Sequence, residues 1–402
     1  MLKILWKGIL PIIVLPEIFY NHNVNIKVGF AGRWSPQDKG AWSGTYFHTW
    51  QAIKKYYDTE LFYYKWPWHV RERLILHKQY QKLINKKAAV EFLTGYAKFF
   101  SKQLERDLLK RKVDILFVPS APQLTAYCKT DIPIIHMTDA TFIQLQGYYP
   151  MFRDIAKYNI EQGITMDRLA FRKSAHCIVT SNWTKESAIN DYHVPAGRIT
   201  VIPPGANLDN IPAAAELKKG KNQVCQLLFL GVEWERKGGQ IVLDTFNILQ
   251  SKGMPVQLTI IGCVPPVPVT NKNIIVIPFI NKKVPEETAR LYSIFSNCDF
   301  LFVPTRAECA GVVFCEASAY GVPSITTDTG GVTAIVKDGE NGYALPLSAT
   351  ANDYAVKILE LFNDDQRYSD LRASSRKRYD ECINWDHWGN IFHGIAEKIL
   401  NS

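Results

Sequence analysis

Short apolar runs rich in β-branched residues recur along the chain, with amphipathic stretches between them. They fall at Asn25–Phe30, Glu60–Tyr64, Asp114–Pro119, Ile132–His136, His176–Thr180 and Ile199–Ile202, then at Gln226–Leu230, Val256–Ile261, Ile274–Phe279, Phe300–Pro304 and Ser324–Thr327. Most are apolar throughout rather than alternating, and Gly, Pro or Asp bounds them. That pattern predicts strands buried on both faces of a parallel sheet. Between them the apolar residues recur with helical spacing, at Arg71–Lys112 (two helices), Gly239–Lys252, Pro285–Ser296 and Thr350–Phe362. Repeated alternation of strand and helix predicts an α/β fold of two Rossmann-like units.

The pattern breaks once, at Ile-Pro-Pro-Gly-Ala-Asn (202–207) and the polar stretch 213–222, before a fresh strand begins. We therefore expect one domain over 25–204 and a second over 205–384, with the joint at Gly205. A last helix, Asp386 to Ile399, is predicted with Asn384 as its N-cap. It is expected, with the rest of 385–402, to pack back on the first domain. Residues 1–24 precede the first strand. Their apolar part, Ile9 to Tyr20, is too short and too interrupted by Pro11, Pro16 and Glu17 to span a bilayer, and we expect an extension outside the domains.

At 402 residues with 47% apolar composition, each half can bury its own core. Eight cysteines form no CxxC pair and no zinc-spaced cluster, which fits free thiols in a reducing, cytoplasmic compartment. The formal charge of +9 is concentrated. Lys54–Lys112 holds fifteen Lys and Arg against six Asp and Glu, which accounts for the whole excess. Aromatic residues interleave with this stretch, among them Tyr63, Tyr64, Trp66, Trp68 and Tyr80. Basic charge beside aromatic surface suits an anionic membrane face; a solvated helical face over an aromatic core explains it equally well. No recognised nucleic-acid motif accompanies it, and no nucleic-acid partner is expected.

Candidate chemistry concentrates in the second half. In Pro304-Thr-Arg-Ala-Glu308-Cys-Ala-Gly311-Val-Val-Phe-Cys-Glu316, a strand ends in a loop and Gly311 opens a helix. The backbone N–H groups of Gly311, Val312 and Val313 then lie at a helix N-terminus, which favours a diphosphate. Glu308 and Glu316, eight residues apart, could grip hydroxyls of a sugar or ribose. As alternatives, Glu308 caps a turn and Glu316 makes a surface ion pair. Gly231-Val-Glu-Trp-Glu-Arg236-Lys237-Gly238-Gly239 follows the first strand of the same half, and its lysine between flexible glycines suits a phosphate-gripping turn. Gly330-Gly331 repeats the strand–glycine–helix arrangement. In the first half, Trp42-Ser43-Gly44-Thr45 stands before a helix, placed to close on a ligand from the other side.

These motifs resemble the family 4 retaining glycosyltransferases, which have the GT-B fold, two Rossmann-like domains facing across a cleft. The resemblance covers most of the chain from about Asn25 onward and rests on Glu308-x7-Glu316, the Lys237-Gly238 turn, Gly205 and the Gly-Val-Pro after Tyr320. It implies a nucleotide-sugar donor, UDP- or GDP-linked, in the second domain, and a glycan or lipid-linked acceptor in the first, in polysaccharide or glycolipid biosynthesis. By the same likeness Glu308 lies by the donor sugar, Glu316 binds the ribose and Lys237 faces the diphosphate. The arginine usual five residues before that lysine is replaced by Val232, with Arg236 or Arg306 as substitutes. The family's first-domain histidine best matches His136, and Asp139 is a weaker candidate that also fits a helix N-cap. No Asp-x-Asp metal motif occurs, so no metal and no separate cofactor are expected, and transfer is expected at the front face of the sugar, the leaving phosphate accepting the acceptor's proton. Two other readings stay open: a nucleotide-sugar epimerase of the same architecture, and a non-enzymatic polyanion-binding protein using Lys54–Lys112. A dinucleotide dehydrogenase is disfavoured because no G-x-G-x-x-G follows a strand.

Overall fold

The computed structural model describes residues 26–402 apart from 66–71, 73, 74, 77, 78, 81, 82, 84, 218 and 219. The expected extension 1–24, and Trp66, Trp68 and Lys82 of the basic stretch, lie outside the described residues. Two six-stranded sheets, parallel throughout, make up the frame. The first is ordered β2-β1-β3-β4-β5-β6, with β1 Lys27–Gly32, β2 Asp58–Tyr63, β3 Ile115–Pro119, β4 Ile134–Thr138, β5 His176–Val179 and β6 Ile199–Val201. The second is ordered β12-β11-β10-β7-β8-β9, with β7 Cys225–Leu230, β8 Val256–Ile261, β9 Ile274–Ile277, β10 Phe300–Val303, β11 Ser324–Thr327 and β12 Gly342–Leu345.

The helices cover the sheet faces. The longer ones among the described residues are α1 Thr45–Lys54, α2 Thr94–Leu108, α3 Lys157–Lys173, α4 Asn182–Asn190, α5 Gly239–Ser251, α6 Pro285–Asn297, α7 Val312–Ala319, α8 Ala351–Asn363, α9 Asp365–Glu381 and α10 Trp385–Leu400. Central strands are buried on both sides: every residue of β3, β4, β10 and β11 is buried. Their apolar runs are continuous for that reason. The expectation of two Rossmann-like units is met, with β12 as an added strand whose short Gly-Tyr-Ala-Leu run carries no clear strand signal.

The strand order fixes where a ligand can sit. In the second sheet the chain starts at β7, steps outward to β9, and returns to β10 on the other side of β7. In the first it starts at β1, steps to β2 and returns to β3. A crevice opens beyond the carboxyl ends of the strands wherever such a reversal occurs. The loops after β1, β7 and β10 are thus the structural candidates.

The C-terminal helix returns to the first unit. Trp388, Phe392 and Ile395 of α10 join the core formed by Phe30, Tyr46, Phe117 and Met137. Asn384 caps α10, its side-chain oxygen accepting from the His387 N–H at 2.7 Å. At the joint, a Cβ on Gly205 would stand 2.6 Å from the Trp385 nitrogen, so only glycine lets the connecting strand pass the start of α10. Asn207 ties the crossing together: its amide donates to the Ser43 carbonyl at 2.9 Å and its oxygen accepts from the Trp385 indole at 3.1 Å.

Candidate active site

The loop after β10 carries Glu308 into the crevice between β7 and β10. Its carboxylate accepts from the Lys237 ammonium and, at 3.3 Å, from the Arg236 guanidinium. All three side chains are at most 13% exposed, so these charges face each other largely out of water. Burial alone would raise the Glu308 pKa, yet the two cations hold it below the usual carboxylate range. Arg236 also donates to the Ala307 carbonyl at 2.9 Å and to Glu233 at 3.0 Å. It lies over the Tyr149 ring at 5.0 Å.

The turn that delivers Lys237 depends on its glycines. Gly238 adopts φ +78°, and a Cβ there would meet the Pro304 carbonyl oxygen at 2.1 Å. A Cβ on Gly231 would press on the Lys237 side chain at 2.8 Å. The β7 and β10 loops therefore interlock through glycine, which sets Lys237 against Glu308. Of the two substitutes for the arginine absent at Val232, the structure brings Arg236 to Glu308. Arg306 turns away and donates to the Leu347 carbonyl at 2.7 Å, while Val232 itself is 71% exposed.

Gly311, at φ +85°, starts α7 with Val312 and Val313 in its first turn. No residue precedes these within the helix to accept their N–H groups, so the positive end of the helix faces the crevice. Glu316, one turn on, is buried, and its carboxylate accepts from Lys282 at 3.0 Å. Burial works against the Lys282 charge, but Glu316 more than offsets it and the ammonium pKa is raised. Sequence reasoning missed Lys282, which lies in a plain Asn-Lys-Lys turn between β9 and α6 without a motif to mark it.

The first half supplies the opposite wall. Trp42 and Ser43 both adopt positive φ, at 49° and 56°, and Gly44 follows at 95°. A left-handed tryptophan is a costly conformation that surrounding structure must impose. Here the Asn207 amide holds the Ser43 carbonyl, and the Trp42 side chain lies close enough to Asp139 to favour its ionised form. A Cβ on Gly44 would stand 3.4 Å from the Asn207 side chain. Asp139 directly follows β4 and faces Glu308; burial first, with the Glu308 charge adding, raises its pKa to about 6. Tyr148 and Tyr149 reach across the cleft, their hydroxyls accepting from the N–H groups of Glu308 at 2.8 Å and Cys309 at 3.0 Å. Gly330 and Gly331 lie beneath this contact, where a Cβ would strike the Glu308 and Cys309 carbonyls.

His136 is placed elsewhere. It sits in the middle of β4, packed edge-on against Phe171 of α3 at 5.5 Å, with its ring Nδ1 buried and without a hydrogen-bond partner among the described residues. Burial lowers its pKa to about 4. The structure brings Glu308, Lys237 and Arg236 together, sets Glu316, Gly311, Val312 and Val313 beside them on α7, and faces them with Asp139 rather than His136. The expected strand Ile132–His136 is shifted by two residues to Ile134–Thr138, which moves the strand end, and the cleft position, to Asp139.

Comparison with known proteins follows the same division. A family model described as Glycosyl transferases group 1 matches residues 225–364, and one described as Glycosyltransferase Family 4 matches 86–210. The chain joins two glycosyltransferase domains. Together the two matches span most of both sheets and include Lys237, Glu308 and Glu316 in one and Asp139 in the other. Among curated relatives, the D-inositol 3-phosphate glycosyltransferase of Rhodococcus erythropolis is 26% identical over 230 residues, 52% of this chain and 51% of that protein. The capsular polysaccharide biosynthesis glycosyltransferase CapM of Staphylococcus aureus is 27% identical over 246 residues, 56% of this chain and 60% of that protein. The chain thus spans about half the length of the curated relatives it matches. Among solved structures, sucrose-phosphate synthase from Thermosynechococcus elongatus superposes with a TM-score of 0.66 at 16% identity, covering 94% of this chain and 99% of that one. Anabaena HepE, solved with UDP and glucose, gives 0.59 at 14% identity, covering 93% and 99%. These likenesses establish the GT-B fold of the two glycosyltransferase domains.

Proposed function

We propose that this chain transfers a sugar from a nucleoside-diphosphate sugar, UDP- or GDP-linked, to a glycan or lipid-linked acceptor, without a metal and with retention at the anomeric carbon. The observation that carries the proposal is the buried grouping of Lys237, Arg236 and Glu308 at the strand reversal of the second sheet, beside the α7 N-terminus and Glu316. Lys237 and Arg236 supply positive charge where a diphosphate leaves, and fixed N–H groups at Gly311–Val313 add to it. Glu308 orients the donor sugar, and Glu316 takes the ribose hydroxyls. In the transfer, the bond from the anomeric carbon to the phosphate oxygen breaks as the bond to the acceptor oxygen forms on the same face. The acceptor's proton passes to the departing phosphate oxygen. HepE was solved with UDP and glucose, and CapM is named for capsular polysaccharide biosynthesis; both support a nucleotide donor and a glycan product.

A nucleotide-sugar panel tests this. A donor present at a hundred times its Kd stabilises the native state by about 2.7 kcal/mol, so the cognate one raises Tm and is slowly hydrolysed. A panel in which no UDP- or GDP-sugar shifts Tm would refute the proposal.

We further propose peripheral attachment to the inner membrane face. Among the described residues no helix is long and apolar enough to cross a membrane. Ile75, Leu76, Tyr80 and Leu83 are exposed by 55–85%, within the basic stretch that also exposes Lys86 and Lys87. Apolar side chains beside lysines suit an anionic lipid surface, each lysine adding on the order of 1 kcal/mol. Co-sedimentation with anionic vesicles should fall with salt and with Lys86→Glu/Lys87→Glu; no binding at low salt would sink the idea.

A further inference from the structure

The first domain carries two hollows that meet at one stretch of chain. The inner one, about 500 Å3, opens beyond the ends of β1 and β2 and is walled by Arg33, Trp34, Glu91 and Phe100. The outer one, about 660 Å3, runs down the free edge of β2 past Glu60, Gln103, Asp107 and Arg111. Tyr63, Tyr64 and Lys65 line both. Each lies in the range of about 300–1,000 Å3 that a bound small ligand occupies. The shared Tyr63, Tyr64 and Lys65 place the two hollows side by side, as one groove with an inner and an outer part.

A relay of packed rings runs from the inner end toward the reacting centre. Trp34 packs on Tyr46 with ring centres 5.4 Å apart, and Tyr46 packs on Trp42 at 6.0 Å. Trp42 lies beside Asp139, whose carboxyl senses the Glu308 charge. From there the groove leads outward past two half-exposed rings, Trp34 at 39% and Tyr63 at 41%. Rings of this kind offer flat apolar faces beside polar edges, the surface on which pyranose rings rest. In the outer hollow the Gln103 amide oxygen is buried and has no hydrogen-bond partner among the described residues. A buried acceptor left unpaired is costly, and a ligand hydroxyl would satisfy it.

Four carboxylates, Asp38, Glu60, Glu91 and Asp107, line the groove against three cations, Arg33, Lys65 and Arg111, so its lining carries no excess of positive charge. Arg33 is paired with Glu91, and Arg111 is held by Glu60 at 3.0 Å and Asp107 at 3.2 Å. Neither guanidinium is left for a phosphate or uronate. We infer that this groove binds the acceptor as an uncharged, unbranched oligosaccharide, its terminal ring in the inner hollow and the preceding rings crossing Tyr63 toward Gln103. The inference rests on the reading of the first domain as the acceptor side, and it names the acceptor's class.

An array of neutral, unbranched oligosaccharides of one to six rings, in several sugars and linkages, tests it against uronate-containing and sulfated chains. Affinity should rise at least about tenfold between one ring and three, a gain of about 1.4 kcal/mol. Tyr63→Ala should abolish that rise. Gln103→Leu should weaken only the longer chains, since it touches only the outer hollow. Length-independent affinity, preference for acidic chains, or failure to bind any neutral chain would overturn the inference. The same variants are assayed for stabilisation by nucleotide-sugar: if that persists while glycan binding fails, the groove assignment is wrong and the donor site stands. If wild-type protein gains no stability from any nucleotide-sugar, the underlying reading fails instead.

Discussion

Replacing Lys237 by methionine separates two things the ion pair with Glu308 could be doing. Both side chains are about nine-tenths buried, at 11% and 10% exposure. Removing one partner of a buried pair costs about 3–5 kcal/mol, because the other charge is left stranded. The lower end applies, since Arg236 still reaches Glu308 at 3.3 Å. At about 2–4 °C per kcal/mol for a domain of about 150–250 residues, a loss of about 3 kcal/mol in the second domain lowers its Tm by about 6–12 °C. Adding Glu308→Gln removes the stranded charge, so the double variant should regain most of that loss. Activity behaves differently. Losing a group that stabilises charge developing on the leaving diphosphate costs about 10²–10³ in kcat, and neutralising Glu308 does nothing to restore it. Scanning calorimetry beside steady-state donor hydrolysis reads both quantities. If the double variant regains activity together with stability, Lys237 is a structural partner of Glu308 and takes no part at the diphosphate. An unchanged Tm in the single variant would refute the energetic argument itself.

Glu316→Ala should weaken nucleoside diphosphate binding by several-fold to a few hundredfold, the loss expected from one or two hydrogen bonds worth about 1.5–3 kcal/mol each, as measured by calorimetric titration; unchanged affinity removes Glu316 from the ribose. Transfer should continue in excess EDTA, and complete loss with recovery on adding Mg²⁺ or Mn²⁺ would overturn the metal-free proposal. NMR of freshly formed product should show the donor's anomeric configuration retained, and inversion would contradict the proposed front-face step. Gly238→Ala should lower both Tm and donor affinity, because its Cβ would collide with the Pro304 carbonyl in a left-handed backbone; a fully active, equally stable variant would show that the turn is not fixed by this contact.

Much of the frame was legible because buried parallel strands write themselves as unbroken apolar runs. Val256–Ile261 and Ser324–Thr327 form strands over the residues their pattern predicts. The Glu308 and Lys237 loops could be read for a related reason: glycines at forced positions and a helix start leave marks in the sequence. What escaped were partners brought together only by folding. Lys282 reaches Glu316 from a different loop, and Tyr148 and Tyr149 grip the Glu308 loop from 160 residues away. The Gly330-Gly331 pair shows the same limit. Its position after a strand suggested a ligand turn, whereas both glycines admit the close approach of the Glu308 and Cys309 carbonyls.

The strand shift that displaces His136 has a consequence that pH can expose. With β4 ending at Thr138, the side chain at the cleft is the carboxyl of Asp139, whose pKa is raised to about 6. His136, its pKa lowered to about 4, stays neutral through the physiological range and titrates nothing near the donor. If ionised Asp139 orients the sugar, kcat/KM rises with pH through about 6, and Asp139→Asn abolishes that limb. His136→Asn leaves the position of the limb unchanged, whatever it does to stability in the β4–α3 core. Stability carries the opposite sign. The folded state binds the Asp139 proton more tightly than the unfolded chain does, so the ionised carboxyl costs stability as pH rises from about 4 to about 6. Asp139→Asn should therefore melt higher than wild type above pH 6 and lose that advantage below pH 4. A limb near pH 6 that survives Asp139→Asn but vanishes with His136→Asn would return the role to the histidine, and would require β4 to present it to the cleft in the donor complex.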